Sequence, residues 1–113
     1  MQNEQVVKEW IERADEDFGF ASSSLEIGNY FAQICFHFQQ AAEKYLKAFI
    51  IATGLEFRPI HNLLELLEIC REKEPKIEEI EEDCRYLNPL IHVIRYIGPL
   101  TMIKRQLLRQ AIQ

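Results

Sequence analysis

The chain has 113 residues, 48% hydrophobic and 27% charged, with a net charge of −5; this is the make-up of one soluble globular domain over residues 1–113, and it excludes disordered, fibrous and two-domain proteins. No run of about 18 uncharged apolar residues is present, and the first residues, "MQNEQVVKEWIERADED", carry acids where a signal peptide has a basic flank, so a cytoplasmic location without membrane contact is expected. All 18 acidic residues precede Cys84, while Arg85, Arg95, Lys104, Arg105 and Arg109 follow it, an asymmetry that either aims a basic patch at phosphate or pairs with the chain's own acids around "EIEED".

Residues 4–26 show the period of an amphipathic helix. Val7, Trp10, Ile11, Ala14, Phe18, Ala21 and Leu25 recur at steps of three and four, with Glu9, Glu12, Asp15 and Glu16 turned away. Gly28 and Asn29 end it. A second helix is expected from about Tyr30 to Thr53, closed by Gly54 in the left-handed conformation. It is mostly Phe, Ala, Tyr, Leu and Cys, yet His37, Gln40, Glu43, Lys44 and Lys47 fall inside one narrow arc. A polar ribbon thus runs along a largely buried rod.

After a loop, "LEFRPIHN", the stretch "LLELLEICREKE" reads as a third helix, begun by His61 or Asn62 and interrupted by Pro75. Lys76 to about Asn88 reads as a fourth, strongly charged helix, and Leu100 to Ala111 returns to a helical period after the proline-bounded "PLIHVIRYIGP". There are no alternating strands and no repeats. The sum is an all-α, up-and-down bundle of four to five helices.

Cys35, Cys70 and Cys84 form no Cys-x-x-Cys pair and read as core thiols of a reducing compartment. His37, His61 and His92 stand on separate segments without ligand spacing, and no phosphate loop, dinucleotide fingerprint or nucleophile elbow occurs. Neither metal nor cofactor is expected. Trp10, Phe18, Phe31, Phe36, Phe38, Tyr45 and Phe49 lie on helical periods and read as core or dimer interface rather than as stacking platforms.

The segments "ADEDFGFAS", "CFHFQQAAEKYLKAFIIATG", "PIHNLLELL" and "LNPLIHVIRYIGP", in that order, resemble the HEPN domain (higher eukaryotes and prokaryotes nucleotide-binding) over about residues 1–100. The resemblance implies a helical bundle that dimerises, binds nucleotide or RNA, and works beside a minimal nucleotidyltransferase, as one half of a toxin–antitoxin pair. On that reading the α-helical ribbon lines a cleft in which Lys44 and Lys47 meet phosphate and His37 reads a base or ribose, with Gln40 beside them. The competing structural reading pairs Glu43 with Lys47 and bonds His37 and Gln40 to the loop near Arg95.

Ribonuclease branches of the family carry an Arg followed, four to six residues on, by a His; Arg85 and His92 have six residues between them. A neutral His92 would take the proton of a ribose 2′-hydroxyl while Arg85 neutralises the phosphate, giving a cyclic phosphate without metal. The context "RYLNPLIHVIRY" resembles instead the branch marked by an Arg-Tyr-Pro-Gly-like turn, in which Arg95, Tyr96 and Gly98 fit and Ile97 stands where proline belongs. There Arg95 and Tyr96 would organise the turn beneath the second helix and touch phosphate. An oligomerisation adaptor without ligand is the remaining reading.

Overall fold

The computed structural model describes residues 4–56, 59, 63–75 and 105. Within them the chain forms α1 (Glu4–Ile27), α2 (Phe31–Ala52) and α3 (Leu63–Arg71), and no strand occurs among the described residues. The all-α class is as expected. The expected fourth and fifth helices lie outside the described residues.

The first helix buries the stripe its period indicates: Val7, Ala14 and Ala21, seven residues apart, are sealed, with Trp10, Ile11, Phe18 and Leu25 packed partly buried around them. Gly28 (φ 83°) then turns the chain, its N–H bonded to the Ser24 carbonyl at 3.2 Å. The second helix returns antiparallel to the first. Residues late in α1 meet residues early in α2, as in Phe20 against His37, and Trp10 near the start of α1 meets Lys47 near the end of α2.

A sealed heptad spacing repeats in α2, where Ile34, Ala41 and Ala48 are buried together with Phe38, Ala42, Tyr45, Leu46, Phe49 and Ile50. Small side chains on both helices let the two backbones approach closely, and short polar side chains can then reach across. Phe18 and Phe38 meet edge to face, centroids 5.6 Å apart, a favoured aromatic geometry. Phe31 and Phe36, by contrast, are exposed rather than core.

The closure of α2 follows the expectation for Gly54, which takes φ 76°. Gly54 N–H bonds the Ile51 carbonyl (3.3 Å) and Leu55 N–H the Ile50 carbonyl (3.1 Å), a Schellman pair that satisfies two carbonyls at the helix end while Leu55 packs on the core. The third helix stops at Arg71, short of the expected Glu74. Pro75 disfavours helical geometry at Glu74, and the Lys73 and Glu74 N–H groups both turn back to the Cys70 carbonyl at 3.0 Å. Leu66, Leu67 and Cys70 press α3 onto α2, and the Cys70 thiol points to the Leu46 carbonyl (3.7 Å). Among the described residues no helix is long and apolar enough to cross a membrane.

Close approach of α1 and α2 depends on the alanines, so Ala41→Leu overpacks the seam and lowers stability by about 1–3 kcal/mol in urea unfolding at constant m. Phe36→Ala, on the exposed face, changes stability by no more than about 0.5 kcal/mol.

Candidate functional site

The polar ribbon of α2 turns toward α1, where Asp17 receives it. Seven residues after Trp10, three after Ala14 and four before Ala21, Asp17 sits at the edge of the buried stripe, and its side chain is 16% exposed. His37 Nδ1 donates to Asp17 Oδ1 at 3.1 Å, and the Lys44 ammonium donates to Asp17 Oδ2. One carboxylate therefore holds two ribbon residues a helical turn or more apart. Because a carboxylate only accepts, Nδ1 of His37 carries a proton toward Asp17, and Nε2 is the ring nitrogen that this contact leaves out.

The other ribbon residues are placed differently. Lys47 is 6% exposed, with its ammonium 5.3 Å from the centre of the Trp10 ring, within the range of a cation–π contact. Glu43 is buried beside it on the helix and also engaged. Gln40 is half-buried. Lys44, at 26% side-chain exposure, and His37, at 30%, are the two ribbon groups that keep an edge in water. Lys47, the other cation expected at phosphate, thus has its ammonium over the Trp10 ring.

A second carboxylate corrects the helix reading. Asp15, expected on the outward face, is half-buried and accepts the Tyr45 hydroxyl hydrogen at 2.5 Å. Burial first, then the bond to Asp15 and its negative charge, hold the Tyr45 phenol well above its ordinary range. Burial likewise raises the Cys35 thiol and pushes the Cys70 thiol up to about 12. Neither is set up as a nucleophile.

Sequence reasoning missed Asp15 and Asp17. Their signal was present in register: they flank the apolar stripe on its two edges, where a short acid meets the neighbouring helix. No group of three or more His, Cys, Asp or Glu able to hold a metal occurs among the described residues. The candidates Arg85, His92, Arg95 and Tyr96 lie outside the described residues.

Next to the Asp17 cluster, at the α1–α2 turn, lies an open cleft of about 240 Å³ lined by Phe20, Ser24, Asn29, Tyr30, Gln33, Ile34 and His37. His37 belongs to both, resting against Phe20 (centroids 4.6 Å) and Phe36 (5.4 Å).

An antiparallel helical pair with a third helix laid on it, and a polar edge carried through its middle, defines an all-α helical module among the described residues. The model of the HEPN domain matches residues 7–113, and the chain belongs to that family. No curated protein and no solved structure matches it.

Tyr45 supplies a pH test with a definite sign. Its folded pKa is raised, so its contribution is complete below the ordinary tyrosine value near 10 and is lost as pH climbs above it. Ultraviolet titration of the protein beside Tyr45→Phe will show, in the difference between the two, a Tyr45 phenolate that appears only together with unfolding.

Proposed function

We propose that the protein is a nucleotide- or RNA-binding HEPN module that acts as a homodimer beside a minimal nucleotidyltransferase, as one half of a toxin–antitoxin pair. The observation that carries this reading is the Asp17 cluster. A cation and an imidazole, Lys44 and His37, are held by one carboxylate at a partly exposed edge of an otherwise apolar helix. Packing alone asks for no such arrangement, since a hydrophobic pair of equal volume would fill the same seam at no desolvation cost.

In this reading Lys44 offers its charge to a phosphate and His37 offers Nε2 to a base or ribose hydroxyl, with Gln40 beside them. Lys47 supports the helix from beneath through Trp10. The run of cations from Arg85 onward, among them Arg95 beside Tyr96, adds attraction for a polyanion despite the net charge of −5.

A second reading rests on the spacing of Arg85 and His92, which fits a metal-independent endoribonuclease. Two measurements separate the two. Binding predicts a dimeric mass and a melting temperature raised by saturating nucleotide or short RNA, with Lys44→Met weakening the shift; a monomer with unchanged melting contradicts it. Cleavage predicts loss of single-stranded RNA in EDTA that His92→Ala abolishes, and intact RNA rejects that reading.

A further inference from the structure

The cleft at the α1–α2 turn is built around a residue that local sterics do not favour. Tyr30 takes φ 62°, ψ 49°, the only non-glycine residue with positive φ among the described residues. A left-handed conformation is costly for a residue with a β-carbon and suits glycine or asparagine. Gly28 and Asn29 stand immediately before it, yet the tyrosine occupies the left-handed position at the head of α2. Its ring does not repay this by packing, because Tyr30 is 81% exposed, and its side chain does not cap the helix.

Strain of this kind persists where the side chain is needed in a particular place. Here that place is the rim of the cleft, with Phe20, itself 55% exposed, and His37 on the walls. Phe20, Tyr30 and His37 bring aromatic rings to a mostly apolar lining, Phe20 and His37 resting against each other at 4.6 Å, and Ser24, Asn29 and Gln33 are the other polar residues along it. His37 cannot turn freely, since Asp17 fixes it through Nδ1.

At about 240 Å³ the cleft is smaller than the roughly 300–1,000 Å³ of sites that enclose drug-sized ligands. It admits one planar ring system, not a whole nucleotide. Ring faces for stacking together with amides for edge hydrogen bonds are what a heteroaromatic base requires. Lys44 shares the Asp17 carboxylate with His37, which lines the cleft.

We propose that the Phe20–Tyr30–His37 cleft is a nucleobase pocket, Tyr30 being held in its strained conformation to stack on the base. The proposal deepens the nucleotide- and RNA-binding reading and rests on it. The base is supplied either by a free mononucleotide or by single-stranded RNA, and the chemistry of capture is the same.

The test is an NMR titration of the full chain with AMP, CMP, GMP and UMP, with ribose 5-phosphate as a base-free control, and with a single-stranded RNA roughly eight nucleotides long. The expected result is that mononucleotide, RNA or both perturb the resonances of Phe20, Asn29, Tyr30, Gln33 and His37, and that ribose 5-phosphate does not. Which arm responds identifies the source of the base. Tyr30→Asn, which keeps the turn and removes the ring, then weakens binding at least about fivefold while raising Tm by about 2–6 °C.

Binding of RNA with silent cleft resonances overturns the pocket and leaves the nucleotide- and RNA-binding reading standing; no binding by any probe overturns both. Equal response to ribose 5-phosphate, or cleft resonances that shift only with protein concentration, assigns the surface to phosphate or to a second copy and likewise overturns the pocket. A Tyr30→Asn variant with lowered Tm would show that the ring serves the fold.

Discussion

One carboxylate organises the polar part of this molecule. Asp17 takes the imidazole of His37 on one oxygen and the ammonium of Lys44 on the other, and by doing so allows a lysine and a histidine to ride on the most deeply buried helix of the described chain. A lysine desolvated against that helix without an anion would be strongly destabilising. Lys47, further along the same ribbon, meets the same requirement partly through the π face of Trp10. The two solutions sit on one edge of α1, and that edge makes the ribbon tolerable.

The reach of an aspartate is short, and so the arrangement depends on how near the helices lie. Alanines at positions 14 and 21 of α1 and 41, 42 and 48 of α2 are all sealed, and a pair of helices apposed through alanine can approach more closely than one apposed through leucine. Asp15 exploits the same closeness on the opposite edge, where it accepts from Tyr45. Alanines and buried aromatics such as Phe38 and Tyr45 in the middle, with acids at both margins, form a cross-section in which packing and polar contacts support one another. The turn at Gly28 and the Schellman closure at Gly54 set the ends of that pairing.

Much of this was legible in the residues. The periods of α1 and α2, the ending of both at glycines and the existence of a ribbon on α2 follow from spacing and backbone sterics, because each depends on neighbours within one or two turns. The partners of the ribbon were not legible. An acid at the margin of a helix looks the same whether it meets water or a facing lysine, so Asp15 was assigned to the outward face, and Asp17 received no role. Tyr30 was equally hidden: Gly28 and Asn29 account for a turn by themselves, and nothing local says that the next residue takes the left-handed position. The end of α3 at Arg71 was missed because Glu72, Lys73 and Glu74 are themselves good helix formers, while Pro75 already constrains the backbone before it.

The proposed binding function falls at the boundary between the buried seam and the solvent, where His37 and Lys44 keep an edge in water. His37 links the Asp17 cluster to the aromatic cleft, so a ligand there would sense the same carboxylate that fastens the helices. The account stands on Asp17 and Lys44 being energetically coupled rather than merely adjacent, and a double-mutant cycle with Asp17→Asn and Lys44→Met measures that directly. With both side chains mostly but not wholly buried, solvent screening trims the value of a charged hydrogen bond, and a coupling of about 1 kcal/mol or more is predicted. A coupling below about 0.3 kcal/mol, the scatter expected of independent sites, would contradict it.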